Sequence, residues 1–142
     1  NEFALYLASN SIDSDQWRDI KLKCIDKAEK ILGLFTDIVW DRVISKANYL
    51  INVDSTHLFL FKSHNNSIES IVIKSNHKSI DLKNDKSHSF ILNNLNSNKI
   101  EIFRSKKKLN KTQLNKEIHT LIIRGAYLSK GELFDIYDQR LS

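Results

Sequence analysis

Basic side chains form the densest group of chemically active residues in this sequence. Residues 104–116 contain six basic and no acidic side chains, whereas the rest of the chain has 16 basic and 17 acidic residues. Clustered cations of this kind are typical of surfaces that contact phosphate groups. Nucleic-acid surfaces usually add aromatic side chains, and residues 104–116 contain none, so a solvated loop is the competing interpretation. The six basic residues are Arg104, Lys106, Lys107, Lys108, Lys111 and Lys116.

The remaining reactive residue types do not form a known catalytic or metal-binding motif. The histidines lie far apart and show no HExxH spacing, and carboxylates such as Asp135 and Asp138 do not form an evident acid and base pair. The sequence therefore predicts a chain that is not an enzyme and holds no metal or cofactor. The five histidines are His57, His64, His77, His88 and His119.

Size and composition predict one domain spanning residues 1–142. At 41% hydrophobic residues the chain can bury one core. No apolar run approaches the roughly 18 residues that span a bilayer, so no membrane contact is expected. The single cysteine, Cys24, cannot form an internal disulfide, which favours the cytoplasm. The chain contains no Met, which indicates a segment excised from a longer protein.

The amino-terminal part is predicted to be helical. Asp13 or Ser14 can cap a helix over residues 14–35, with Gln16 placed to reach back to the cap. Its apolar stripe could be a core face or a dimer seam. Gly33 and residues 36–37 then predict a break, followed by a second helix that ends near Asn52. The candidate dimer residues are Trp17, Cys24, Ala28 and Ile31.

The rest of the chain alternates in the manner of strands. The segment 57–62 has apolar residues on both faces, which predicts a central strand, and Ser87 can cap a short helix. The fold class is therefore α+β, with a central antiparallel sheet of about five strands, amino-terminal helices on one face and a short inserted helix. The predicted strands cover residues 57–62, 68–74, 99–103, 118–128 and 132–137, the last two forming a hairpin.

This order of elements resembles the GAF domain, a sheet-based sensor found in histidine kinases, phosphodiesterases and phytochromes. The likeness begins at residues 43–62, where a helix ends in Ala-Asn-Tyr-Leu-Ile-Asn-Val-Asp and a strand containing Leu-Phe-Leu-Phe follows. Residues 79–103 and the predicted hairpin at 118–137 are also similar to the family, and the likeness covers residues 14–138. The carboxy-terminal helix that usually closes such domains is not predicted here.

The resemblance implies a GAF/PAS-like, non-catalytic sensory or regulatory module of a cytosolic signalling protein, such as a histidine kinase of a two-component system. Such a module would form a homodimer and act by a population shift when a small molecule or partner binds. In a fold of this kind the basic segment would lie near the pocket mouth as a cap for an anionic ligand. The predicted pocket residues are Phe59, Phe61, Val72, Phe90, Leu121 and Ile123.

Three alternatives remain open. The first is a nucleic-acid-binding module that uses residues 104–116. The second is a scaffold that only dimerises through residues 14–35. The third is a DNA-binding protein, because residues 123–132 also resemble the helix and turn of LAGLIDADG-type endonucleases. That motif requires a helix through residues 121–128, followed by two strands.

Overall fold

The computed structural model describes all of residues 1–142 and confirms the predicted α+β class. The chain divides into two compact units, residues 1–43 and residues 44–142. No helix is both long enough and apolar enough to cross a membrane. The helices are α1 (Glu2–Ser9), α2 (Ser14–Lys23), α3 (Ile25–Ser45), α4 (Ser87–Asn93), α5 (Lys111–Ile123) and α6 (Glu132–Leu141). The strands are β1 (Tyr49–Val53), β2 (His57–His64), β3 (Ser67–Ser75), β4 (Ile100–Lys108) and β5 (Tyr127–Ser129).

The first unit is helical and is organised around aromatic rings. Phe3 of α1 contacts Trp17 of α2 and Phe35 of α3, with ring centroids 5.2 and 5.0 Å apart. The predicted cap at Asp13 is confirmed, because its side chain accepts from the Gln16 amide and the Gln16 side chain accepts from the Asp13 amide. One cluster of edge-on rings therefore joins the three helices.

The helix boundaries in this unit differ from the prediction. The break lies at Cys24, where the backbone has φ −136° and ψ 66°, and α3 continues through Gly33 and Thr36. The Thr36 hydroxyl donates to the Leu32 carbonyl, so its polar group is satisfied inside the helix. A mid-helix glycine costs only about 1 kcal/mol relative to alanine, which the packing of α3 outweighs.

The second unit is built on a five-stranded antiparallel sheet in the order β4-β3-β2-β1-β5. The predicted central position of β2 is confirmed, because β2 pairs with β1 on one side and β3 on the other. The predicted short helix is also found, as α4, although no side chain caps it. The prediction of helix to near Asn52 is wrong, since β-branched and aromatic residues form β1 there.

Alternate residues of the strands form two different faces. The covered face contains Leu58, Leu60, Ile71 and Ile73, and it packs against Ile91 of α4 and the α6 aromatics. The half-open face contains Leu50, Phe61 and Ile68, which pack against α5, and continues beyond that helix with Phe59, Val72 and Phe103. The names covered face and half-open face are kept below.

The predicted hairpin at residues 118–137 is wrong. Residues 111–123 form α5 and residues 132–141 form α6, so the chain does have a carboxy-terminal helix. The buried residues of α5 recur at helical spacing, and Asn110 and Gln113 form a capping box at its start. The requirements of the LAGLIDADG-like motif are not met either, because α5 ends at Ile123 and a helix follows β5.

Candidate functional site

A basic groove lies where the β2–β3 hairpin tip meets the corner between β4 and α5. The hairpin tip contains Asn65 at φ +44°, a left-handed conformation that Asn tolerates. The Leu109 amide donates to the Asn66 carbonyl at 2.8 Å, which ties the corner to the tip. The resulting open groove has a volume of about 650 Å³, and its walls include Lys106, Lys108 and Lys111. We call it the basic groove.

Two secondary-structure elements position the three lysines. Lys106 and Lys108 alternate along the end of β4, so both side chains leave the same face of the strand. Lys111 is the first residue of α5, whose first turn contains no acidic residue. The interpretation of residues 104–116 as a loop is therefore wrong, because this segment consists mainly of the end of β4 and the first half of α5.

Acidic partners neutralise only part of the predicted basic patch. Arg104 forms an ion pair with Asp138, and the Lys107 ammonium lies 3.9 Å from a Glu117 carboxylate oxygen. No carboxylate oxygen lies within 4.0 Å of the ammonium of the three groove lysines or of Lys116. Lys108, Lys111 and Lys116 therefore have no carboxylate oxygen at ion-pair distance, whereas Lys106 forms no ion pair but lies directly opposite Glu69 on β3.

Several groove residues were missed by sequence reasoning because they lie some 40 positions away. The hairpin contributes His64 and two asparagines, and Asn110 caps α5 with its side chain accepting from the Gln113 amide at 2.8 Å. Imidazole and amide N–H groups can donate to an anion. Asn110 differs from the hairpin residues, because the sequence did contain a signal for it. Asn110 and Gln113 have the spacing of a capping box, which marks the start of a helix inside the basic segment.

The predicted pocket residues do not come together. Phe90 packs against the core under the covered face, whereas Phe61 packs against the core on the half-open face. Leu121 belongs to α5 and packs with Phe61, and Ile123 at the end of that helix is 66% exposed. Because the sheet separates Phe90 from the others, these six residues cannot line one cavity.

Most of the predicted dimer residues are used inside the first unit. Trp17 contacts Phe3, Ala28 is 6% exposed and Ile31 is half-buried, so Cys24 is the only one of the four that is exposed. The stripe is therefore mainly an intramolecular packing face. Other large apolar side chains in this unit are exposed, namely Leu5, Leu22, Ile25, Leu32, Leu34 and Ile38.

One cross-strand row on the half-open face lies beyond α5. The register places Asn52 opposite Phe59, Phe59 opposite Val72, and Val72 opposite Phe103. Phe103 is 57% exposed, and Phe59 and Val72 are half-buried. The His57 ring lies nearly parallel to the Phe59 ring, with centroids 5.7 Å apart. Two rings, Phe59 and Phe103, thus flank the aliphatic side chain of Val72, and we call these three residues the aromatic row.

The titratable groups with shifted pKa values have structural roles. Burial lowers the pKa of His88, although the nearby Asp85 opposes the shift, and burial raises the pKa of Tyr137. The Tyr137 hydroxyl and His88 Nδ1 form a 2.9 Å hydrogen bond. Burial alone would raise the pKa of Asp54, but hydrogen bonds from the Thr56 and His57 amides outweigh it and lower that pKa.

The side-chain arrangement provides no group of three or more His, Cys, Asp or Glu residues that could hold a metal ion. The basic groove is thus the surface feature whose chemistry suggests a ligand, because its lysine ammonium groups can donate hydrogen bonds to an anion. No curated protein and no solved structure matches the chain. A family model matches residues 1–142, and the chain belongs to that family, DUF6495, a family of unknown function.

Proposed function

We propose that the chain is a non-catalytic binding module that holds the phosphates of a nucleic acid in the basic groove. The observation behind this proposal is the convergence of Lys106, Lys108 and Lys111 on one concavity, with no carboxylate oxygen within 4.0 Å of any of their ammonium groups. Phosphate contacts by lysine supply most of the affinity of proteins for nucleic acid.

A purely protective role for the lysines explains only part of the arrangement. β4 is an edge strand, and lysines on an edge strand hinder pairing with another sheet. That role accounts for Lys106 and Lys108 but not for Lys111, which is in α5. A cation at a helix start opposes the helix dipole, and an anion bound there would remove the penalty of roughly 0.3–1 kcal/mol. An anionic ligand accounts for all three positions.

The test is a binding titration with a labelled single-stranded oligonucleotide at about 50 and about 200 mM salt. The variant is the triple charge reversal Lys106→Glu, Lys108→Glu and Lys111→Glu. We expect the wild-type protein to bind with a steep salt dependence. If all three lysines contact phosphates, the slope of log K against log salt should fall in magnitude by about 2 in the variant, at roughly 0.7 per contact.

The matched control is Lys78→Glu, Lys83→Glu and Lys86→Glu, which changes three exposed lysines between β3 and α4. Both triple variants change the net charge equally, so a difference between them measures the groove and not the overall charge. Equal loss in the two variants, or no salt-dependent binding by the wild-type protein, would overturn the proposal.

A second candidate function is the GAF-like sensory or regulatory module acting as a homodimer in the cytoplasm. Its support is the set of exposed apolar side chains in residues 1–43, where Ile25 is 63% and Leu32 is 44% exposed. These two residues lie seven positions apart on α3 and therefore on one side of the helix. Burying such a side against a second copy would stabilise a dimer.

Sedimentation velocity tests the second candidate. We expect a concentration-dependent dimer that Ile25→Lys together with Leu32→Lys converts to a monomer. The control is Ile123→Lys, which places a charge on an equally exposed apolar residue of α5. A wild-type protein that stays monomeric at all concentrations would contradict the dimer. Thermal-shift screening with nucleotides and small metabolites would test ligand sensing, which predicts an increase in the melting temperature.

A further inference from the structure

We infer that the nucleic acid is single-stranded and that the two rings of the aromatic row, Phe59 and Phe103, stack on its unpaired bases. This inference rests on the proposed function, because the basic groove supplies the phosphate contacts. The observation that carries it is the placement of Phe59, Val72 and Phe103 side by side on three neighbouring strands, with Phe103 57% exposed at the end of the row.

The aromatic row is outside both hydrophobic cores. The core of the covered face and the core beneath α5 each have their own buried and partly buried members, and Phe59, Val72 and Phe103 belong to neither. Phe61 is only two residues from Phe59 and does pack against the core beneath α5. The aromatic row therefore starts where the cover provided by α5 ends.

Ring geometry favours a flat ligand. The His57 and Phe59 rings are 11° from parallel, so two rings on β2 already stack on this face. A sheet face with exposed rings lets successive bases stack on it, and every base has a flat face that can do so. The neighbouring cation is not free, since the Lys74 ammonium lies 3.6 Å from Glu101. The half-open face can therefore stack on bases, and the positive charge that attracts the phosphates comes from the basic groove.

β4 connects the aromatic row with the basic groove. Phe103 precedes Lys106 by three residues and Lys108 by five, or about 10 and 17 Å at roughly 3.3 Å per residue. Phe103 is on the half-open face and the two lysines leave the opposite face, but β4 is an edge strand. No further strand separates the two faces on its outer side, so one extended strand of several nucleotides can reach both.

The experiment compares two oligonucleotides of about 12 nucleotides, one with bases and one abasic, which have the same number of phosphates. We expect the wild-type protein to bind the base-containing strand at least about 5-fold more tightly, because each base that stacks on an aromatic ring strengthens binding by about that factor or more. Phe103→Leu should remove most of this preference, whereas Phe103→Trp should retain it. Tyr127→Ala is the control, because Tyr127 is an equally exposed aromatic residue on the other edge strand.

The outcomes separate the two proposals. The triple groove variant should weaken binding of both strands by the same factor and leave the preference unchanged. Equal wild-type binding of the two strands, or a preference that Phe103→Leu does not alter, would overturn base stacking while the phosphate-binding function stands. If neither strand binds, both proposals fail. Circular dichroism of each variant confirms that the fold is intact.

Discussion

The two faces of the sheet consist of alternate residues of the same strands, yet they differ sharply in burial. On β2, Leu58 and Leu60 of the covered face are 1% and 0% exposed, whereas their neighbour Phe59 on the half-open face is only half-buried. On β4, Ile102 packs against the core and the next residue, Phe103, is 57% exposed. The difference at these positions does not come from residue type, because all the side chains compared are apolar.

What separates the two faces is the helices that cover them. The covered face has α4 and α6 above it, with Ile91, Phe134 and Tyr137 at most 3% exposed. On the half-open face, α5 covers Leu50, Phe61 and Ile68 and leaves the aromatic row outside its core. We therefore expect the covered face to determine stability and the aromatic row to determine binding. The following predictions test that division.

The largest expected effect is on the covered face. Leu60→Ala should lower the free energy of unfolding by about 2–5 kcal/mol, because it leaves a cavity around a side chain that is 0% exposed. Phe103→Ala should change it by no more than about 0.5 kcal/mol. Urea unfolding of both variants measures the difference. Similar losses in the two variants would contradict the division between the faces.

A smaller effect is expected at Gly131, beneath Tyr49 of the covered face. Gly131 has φ +94°, and a Cβ there would lie 2.6 Å from the Tyr49 ring. Gly131→Ala should therefore destabilise the protein by about 1–3 kcal/mol. Gly33→Ala is the control, since nothing lies within 4 Å of its added Cβ and the helix gains up to about 1 kcal/mol. Thermal unfolding that shifts in the same direction for both variants would refute this prediction.

The smallest effect concerns pH at the hydrogen bond between His88 and Tyr137. Burial lowers the pKa of His88 below its usual 6.5, so the folded state favours the neutral ring and the unfolded state binds more protons. Stability should be highest above about pH 6.5 and should decrease as the pH falls through the lowered pKa.

Unfolding in urea at pH 7.5 and at pH 5 measures this dependence. His88→Asn should make the decrease in stability smaller, because the titrating ring is gone. His64→Asn, which removes a ring exposed at the hairpin tip, serves as the control and should leave the decrease as it is. An unchanged pH dependence in His88→Asn would show that His88 is not its source.

The sequence predicted the elements whose pattern is local. The capping box at Asp13 and the alternation of β2 both identified their elements, because the signal lies within a few neighbouring residues. Apart from the misplaced helix boundaries before β1, the failures were in the last third of the chain. Residues 118–128 are rich in β-branched side chains, yet the apolar residues 114, 118, 121 and 122 have helical spacing and α5 forms over a sheet that buries them.

The candidate site was only half predictable. The basic residues were evident in the sequence, but the sequence did not show which of them form ion pairs with acidic side chains. Asp138 is 34 residues from Arg104 and pairs with it only because α6 packs over the covered face. Likewise, a single sequence gives no sign that Phe103 and Phe59 share a row, because the strand register that aligns them depends on pairing across the whole sheet.

The position of β5 has a consequence for synthesis of the chain. β1, β2 and β3 are consecutive and can pair as soon as they leave the ribosome, whereas the outer edge of β1 pairs only with residues 127–129. Until then, β1 presents an open strand edge, and the covered face lacks Phe134 and Tyr137. A nascent chain that ends before residue 127 exposes both the edge of β1 and apolar residues of the covered face. We therefore expect the tendency to aggregate to fall once the segment from residue 127 onward has been synthesised and packed.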